Sequence, residues 1–285
     1  MLDIKMYDSK DEMAWCPGCG NYSILPAIKE ALAELELKPH QVVVASGIGQ
    51  AAKLPHYINT NGFNGLHGRA VPPASGIKIA NKDLKVIIHS GDGDSYGEGG
   101  NHLMHGIRRN VDITHFVHDN QVYGLTKGQG SPTTAEGQKT SMQLDGVRIQ
   151  QLSPLALAVS LDCSFVARSF SGNKKHLISI MKEAINHKGY ALVDILQPCV
   201  IFNQVNTFKW YKDNVYYLDE SYDPTDKIAA FQKALEWEEG IPLGVIYKKE
   251  KPTYIDQIPY LAEGPSLVDR QWKPAEAEKY MKDFL

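Results

Sequence analysis

The chain has 285 residues, with 30 basic and 33 acidic side chains and a formal charge of −3. Apolar residues make up 43% and charged residues 22%, a composition that excludes a disordered, collagenous or low-complexity scaffold. The weakly acidic balance gives no reason to expect nucleic acid or an anionic membrane surface as partner, and no charge-free apolar run reaches the ~18 residues of a membrane span.

The N-terminal stretch MLDIKMYDSKDEM is charged throughout and lacks the apolar middle of a signal peptide, so cytoplasm is the expected location. Four cysteines are too few for a disulfide framework, and a close pair in a reducing compartment reads as metal-binding or redox-active. Residues 22–36 have helical apolar spacing, and 41–46 (QVVVAS) form a short β-branched run ending at Gly47. KVIIHS at 85–90 is a second such run, 101–109 read as helix, 113–118 as strand and 154–161 as helix. SFVARSF is a strand. Asn173 then caps a helix that places Leu177, Ile178, Met181 and Ile185 on one face, and Gly189 stops it. YALVDIL follows as a strand. Strands alternating with helices predict an α/β fold, a mostly parallel sheet with helices on both faces. Runs such as VVVA and VIIH are apolar without alternation, as in strands buried on both sides. Two segments follow: a core domain over 1–202, and a C-terminal extension over 203–285. The latter is rich in Tyr, Trp, Lys and Pro, helical mainly at 226–239, and expected to wrap the core or a partner.

Glycine-rich loops cluster at 91–100 and 124–130, and ligands of open α/β sheets bind at the carboxyl ends of strands, where such loops sit. Asp92 stands between Gly91 and Gly93 just after a strand. Asn120 stands at the end of the next strand, with a crossover helix between. Two adjacent parallel strands bring these residues together, and a carboxylate with an amide oxygen suits Mg²⁺, a hard ion that leaves positions open for substrate phosphates. Gly91 and Gly93 let backbone approach a diphosphate, whose charge the following helix N-terminus favours.

In WCPGCG, Cys16 and Cys19 are two residues apart around a Pro-Gly knuckle. Two such thiolates can hold zinc or part of an iron–sulfur cluster, or act as a redox dithiol, and the pair does not choose among these. Cys199 lies just past a strand. Cys163 reads as a packed core cysteine, and His56, His102 and His105 as structural.

The GDG segment with its later Asn, 26 residues separating Gly93 from Asn120, resembles the binding motif of thiamine diphosphate enzymes. In that family Asp92, Asn120 and the carbonyl of Val122 would bind Mg²⁺. Taken in order, WCPGCG, SGIG with LPHY, GFNGLHGRA, GDGD, DNQVYGLTKGQ, SFVAR and LQPC resemble the β subunit of the two-subunit 2-oxoacid:ferredoxin oxidoreductases over about residues 12–250. The resemblance implies the thiamine diphosphate-binding fold and a cofactor lined by Gly49, His67, Gly91, Asp92, Gly93, Asp94, Asn120, Val122, Tyr123, Gly124, Leu125 and Thr126. Lys53 and Lys127 would meet a substrate carboxylate, and Leu125 would bear on substrate choice. Arg69 shares the His67 loop. Cys16, Cys19 and Cys199 match three ligands of a [4Fe–4S] cluster, but the fourth position is Gln50, whose amide oxygen is a poor ligand for thiolate-bound iron. That departure leaves three outcomes: a [4Fe–4S] or [3Fe–4S] cluster on three cysteines, which is the expectation, no cluster, or an engineered change at residue 50. The glutamate that drives the cofactor's tautomer would come from an α (or fused γ-α) subunit, so no catalytic acid is assigned in this chain.

The expected activity is oxidative decarboxylation of a 2-oxoacid, of the pyruvate or 2-oxoglutarate class, to an acyl-coenzyme A and CO₂ with reduction of ferredoxin. A non-redox thiamine diphosphate decarboxylase is the alternative that Gln50 favours, and a zinc-knuckle interaction protein is the non-enzyme alternative.

Overall fold

The computed structural model describes residues 1–271 and 274–284. Residues 272, 273 and 285 of the expected C-terminal extension lie outside the described residues. In chain order the elements are α1 (Asn21–Glu34), β1 (Val42–Ser46), β2 (Asn61–Asn64), α2 (Val71–Ala80), β3 (Lys85–Gly91), α3 (Gly100–Arg109), β4 (Ile113–Asp119), the two-residue β5 (Val122–Tyr123) and β6 (Gln129–Gly130), and α4 (Pro154–Ser160). There follow β7 (Phe165–Phe170), α5 (Lys174–Asn186), β8 (Tyr190–Leu196), α6 (Phe208–Asn214), β9 (Val215–Tyr217), α7 (Lys227–Leu235) and β10 (Ile241–Lys248), with short helices beyond.

Among the described residues, eight strands form one sheet in the order β2-β1-β3-β4-β8-β7-β10-β9. The pairs from β2 through β7 are parallel, and β10 runs antiparallel to β7. Successive residues of the central strands enter opposite cores. Ile87, Phe116 and Val193 pack with α1 and α5, while Val86, Ile88, Val117 and Leu192 pack with α3, α4 and α7. That two-sided burial is why these strands read as unbroken apolar runs. Each fully buried side chain of this size contributes about 1.5–3 kcal/mol.

The predicted helices and strands of residues 22–196 appear with ends shifted by one or two residues. Asn173 caps α5, its Oδ1 accepting from the His176 N–H at 3.2 Å. Cys163 is fully buried, and burial pushes its thiol up to about 12. Three features differ from the sequence reading. The glycine-rich run at 91–100 is not a loop: Gly93–Glu98 forms a π-helical turn that runs into α3, a distortion often found at functional sites. The helix expected over 226–239 stops at Leu235. Residues from 203 onward do more than wrap, because β9 and β10 extend the main sheet. The edge strand β2 and the helix α2 carried no sequence signal, the former being four exposed residues and the latter opening on Pro72-Pro73.

No helix among the described residues is long and apolar enough to cross a membrane.

Candidate active site

The strands β1, β3, β4, β7 and β8 end at one edge of the sheet, and the motifs follow those ends. Gly91 pairs with His118 across β3 and β4, so Asp92 and Asn120 leave adjacent strands at the same depth. A pocket there is lined by Ile48, Gly49, Gln50, Ala51, His67, Gly91, Asp92, Gly93, Asp94, Asn120, Val122, Tyr123, Gly124, Leu125 and Thr126. Every residue assigned to the cofactor by resemblance is therefore in one place. Lys53 and Lys127 are not among the lining residues: Lys53 Nζ donates to the Ala14 carbonyl at 3.2 Å, and Lys127 is exposed with φ 85°.

The wall of the pocket is held by Asp94. Its buried carboxylate accepts from the backbone N–H of Ile48 at 3.1 Å and of Gly68 at 2.7 Å, and from the Ser90 hydroxyl. His67 Nδ1 lies 2.7 Å from Asp94 Oδ1 and 3.4 Å from Glu98 Oε2. Asp94 thus ties together the turns after β1 and before α2, and is committed to the protein rather than free for a ligand. Asn64 supports the same turn, with Nδ2 donating to Ser46 Oγ at 2.7 Å and to the Gly47 carbonyl at 3.0 Å. Tyr123 covers Gly93 so closely that a Cβ there would collide with its ring, so the second glycine of GDG serves internal packing. A Cβ on Gly91 or Gly49 would meet nothing within 4 Å. Those two positions form an open cradle, and Gly49 has φ 128°, which favours glycine.

Asp92 is buried beneath the cradle, and burial pushes its carboxyl up from the usual range. Thr133 Oγ1 lies 2.8 Å from Asp92 Oδ2 and 2.8 Å from Asp119 Oδ1. Asp119 is pushed well up by burial and by its acidic neighbours Asp194 and Asp92. Behind them Tyr96 donates to Asp194 Oδ1 at 2.8 Å, and Arg168 Nε lies 3.8 Å from Asp194 Oδ2. Buried carboxyls of this kind call for a cation. The carboxylate of Asp92, the amide oxygen of Asn120 and the Val122 carbonyl are the hard oxygen donors Mg²⁺ takes. The donor set and the glycine cradle together fit thiamine diphosphate with Mg²⁺. Asp119, Thr133 and the Asp194–Arg168–Tyr96 group were not singled out from the sequence. The hydroxyl-rich SPTT at 131–134, just past the GLTKGQ motif, is a compositional signal for Thr133 alone, and the others lie in segments that read only as strand or glycine-rich turn.

A second group lies beside this pocket. The Cys16–Cys19 knuckle closes through Cys19 N–H to the Cys16 carbonyl at 3.0 Å, with Gly18 at φ 81°. It packs on the segment after β8, where Gln197 Nε2 donates to Cys19 Sγ at 3.3 Å. Burial, with the neighbouring Cys199 and Cys16, raises the Cys19 thiol, although the Asn21 N–H at the start of α1 works against the shift. The three cysteines the sequence pointed to are thus gathered. Among the described residues no three His, Cys, Asp or Glu side chains converge on one metal position. A cubane cluster, which spreads its thiolates over separate irons, needs no such convergence. Trp15 Nε1 donates to the Gln50 carbonyl at 2.7 Å, which sets residue 50 between knuckle and pocket. Gln50 Oε1 is buried without a hydrogen-bond partner.

Comparison with known proteins agrees with this geometry. Residues 40–195 match the family described as thiamine pyrophosphate enzyme, C-terminal TPP binding domain, and residues 199–263 match the C-terminal family of the pyruvate ferredoxin oxidoreductase beta subunit. The chain is 48% identical over 257 residues to 2-oxoacid:ferredoxin oxidoreductase 1, subunit beta, of Aeropyrum pernix, covering 86% of this chain and 80% of that one. It is 44% identical over 270 residues to the 2-oxoacid:ferredoxin oxidoreductase subunit beta of Saccharolobus solfataricus, covering 86% and 88%. A solved structure of 2-oxoglutarate:ferredoxin oxidoreductase from Magnetococcus marinus, with 2-oxoglutarate, coenzyme A and succinyl-CoA bound, superposes with a TM-score of 0.92 at 33% identity, over 99% of this chain and 95% of that one. The chain belongs to the β subunits of the 2-oxoacid:ferredoxin oxidoreductases, a family of thiamine diphosphate enzymes.

Proposed function

We propose that Asp92, Asn120 and the Val122 carbonyl hold Mg²⁺, that Gly49, Gly91 and His67 face the diphosphate of thiamine diphosphate, and that Cys16, Cys19 and Cys199 hold a [4Fe–4S] cluster. The observation that carries this reading is the emergence of Asp92 and Asn120 from paired strands beside the open cradle at Gly49 and Gly91. When bound, the cofactor supplies stabilisation of the carbanion formed as CO₂ leaves a 2-oxoacid, and the cluster supplies one-electron transfer.

This chain's own part is binding and placement. Asp92 would supply the one anionic protein ligand to the ion, whose remaining positive charge would offset part of the charge of the diphosphate. His67, whose Nδ1 lies 2.7 Å from Asp94 Oδ1, lines the pocket and would offer its other ring nitrogen to a ligand there as a donor or acceptor. Leu125 is 40% exposed at the pocket rim and limits the size of a substrate side chain there. Thr126, Tyr123 and Gly124 shape the same rim. Lys53 and Lys127 remain the candidates for a substrate carboxylate, each needing to swing from its present place. The catalytic glutamate is supplied by an α (or fused γ-α) subunit, and the other partners are ferredoxin, coenzyme A and a 2-oxoacid of the pyruvate or 2-oxoglutarate class. Residues 1–202 act as the cofactor-binding domain and 203–285 as the extension. The enzyme works in the cytoplasm.

The test is the anaerobically purified complex. Iron and acid-labile sulfide with a broad visible band, together with coenzyme A-dependent ferredoxin reduction, are expected. A colourless, iron-free complex that releases CO₂ would replace the redox reading with the non-redox decarboxylase.

A further inference from the structure

The polar turn Ser131–Thr134 lies under both arms of the proposed metal site. Its own geometry is tightly defined: Thr134 N–H donates to the Ser131 carbonyl at 3.1 Å, and Ser131 N–H donates to Thr134 Oγ1 at 2.7 Å. It is anchored from outside by Gln151 Nε2 donating to the Thr133 carbonyl at 2.8 Å and by Leu152 N–H donating to the Pro132 carbonyl at 2.8 Å. From this rigid turn three hydroxyls reach the site, because the Ser131 side chain also hydrogen-bonds the Asp92 carboxylate. Thr133 Oγ1 is 2.8 Å from Asp92 Oδ2, and Thr134 Oγ1 donates to the Gln121 carbonyl at 2.6 Å. Gln121 sits between Asn120 and Val122 with φ 59°, a left-handed backbone that its surroundings must hold in place. Thr133, Thr134, Asp92 and Gln121 are each 1% exposed, so water does not compete for these bonds.

We propose that the Ser131–Thr134 turn is the positioning element of the metal site, with the Thr133 hydroxyl fixing the rotation of the Asp92 carboxylate and the Thr134 hydroxyl fixing the backbone that carries Asn120 and Val122. The proposal rests on the reading that those three residues hold Mg²⁺. Partners that orient metal ligands are worth about 10–100-fold in metal affinity. One turn that orients both arms couples them: a carboxylate free to rotate, or a Val122 carbonyl turned away, costs the same ion.

The experiment uses the assembled complex and Mn²⁺ as the probe, with free Mn²⁺ read from its electron paramagnetic resonance signal in the presence of thiamine diphosphate. Thr133→Val removes the hydroxyl at nearly constant volume, Thr133→Ala removes it with no added bulk should the valine not pack, and Thr133→Ser restores it. Weakening of the Mn²⁺ dissociation constant by about 10-fold or more in the valine or alanine variant, with serine within about threefold of the parent, is expected. Thermal unfolding of the metal-free variants is followed in parallel, since a purely structural role would lower it and leave Mn²⁺ affinity unchanged. Equal Mn²⁺ affinity in parent and Thr133→Ala overturns the positioning role alone. Failure of the parent to take up Mn²⁺ with the cofactor overturns the metal-site reading and the proposal with it.

Discussion

His118 and Asn21 join the two halves of the site through one buried hydrogen bond, Nδ1 to Oδ1, of 2.7 Å. The amide oxygen can only accept, so Nδ1 of His118 carries the proton and its Nε2 is bare. Nε2 then accepts from His89 Nδ1 at 2.8 Å, which leaves His89 Nε2 buried without a partner. His118 precedes Asp119 and Asn120 at the end of β4, and Asn21 follows Cys19 by two residues at the start of α1. The strand that carries the proposed metal ligands and the helix that follows the cysteine knuckle are therefore fixed to each other inside the core. Asn21→Ala should strand the His118 N–H, which costs about 1–3 kcal/mol. Chemical denaturation measures it, and a loss below about 0.5 kcal/mol, the low end for a net hydrogen bond, would show that the link carries no weight.

These two histidines and His115, which is buried in β4 three residues before His118, set a response to acid. Burial pushes His115 and His118 down to about 3, and His89 well below its ordinary range. Neutral when folded, each takes up a proton on unfolding once the pH is below about 6.5. His115 and His118 therefore each lower stability by about 1.4 kcal/mol per pH unit on acidification toward pH 3, and His89 acts in the same direction. Asp194 opposes them. Burial raises its carboxyl from 3.8 to about 6, so the folded state holds the extra proton, and the stability this gives at low pH is lost as the pH rises from about 4 to 6. Asp92 and Asp119, also raised, act with it. Asp194→Asn keeps an oxygen for the Tyr96 hydroxyl and removes the titration. Its stability should fall more steeply between about pH 6 and 4, by roughly one proton's worth, or about 1.4 kcal/mol per unit. Identical slopes in urea titrations of parent and variant would refute this.

Asp92→Ala should abolish Mg²⁺-dependent cofactor binding in the assembled complex, because the ion links protein to diphosphate. Asn120→Ala should weaken binding without abolishing it, since Asp92 still supplies the charge. Titration calorimetry with and without Mg²⁺ separates the two, and tight binding by Asp92→Ala would end the assignment.

Gly47→Ala tests the wall rather than the floor. A Cβ at this position would collide with the Asp94 carboxylate, displacing the group that holds the Ile48 and Gly68 N–H groups. Cofactor affinity should drop by an order of magnitude or more while the two cores, which Gly47 does not enter, keep their structure. Unchanged cofactor affinity would mean that Asp94 does not set the wall.

Much of this was legible in the residues. The carboxyl-edge pairing of Asp92 with Asn120 follows from a strand, a crossover helix and a strand, and the apolar runs at 42–45 and 86–88 announced two-sided burial. The role of Asp94 was not legible, because an aspartate in a GDGD run reads as a ligand residue whether it faces a ligand or four groups of its own protein. Nor was the position of Lys53, whose spacing from SGIG is compatible with the pocket until the Ala14 carbonyl captures its ammonium group. The threonines at 133 and 134 lie in a stretch with neither helical nor strand period, and a long irregular segment gives sequence pattern nothing to register against. β2 is an edge strand too short and too exposed to alternate.

The departure at residue 50 gives the sharpest test of the cluster. Three thiolates from Cys16, Cys19 and Cys199 would leave one iron without a cysteine, and an amide oxygen at that place binds such iron weakly. That iron should be labile, so mild oxidation of the complex should convert [4Fe–4S] to [3Fe–4S], visible by electron paramagnetic resonance. The Trp15 indole holds the Gln50 backbone beside the knuckle through a 2.7 Å bond to its carbonyl, an interaction that a substitution at the side chain keeps. Gln50→Cys should therefore present a fourth thiolate with little rearrangement, suppress the conversion and raise iron occupancy. It also removes a buried amide oxygen that has no partner, so the variant should lose no stability. An oxidation-resistant [4Fe–4S] signal in the unaltered complex would mean a fourth ligand other than residue 50. Absence of iron in both proteins would mean that the three cysteines are free thiols and that electrons leave the site by another route.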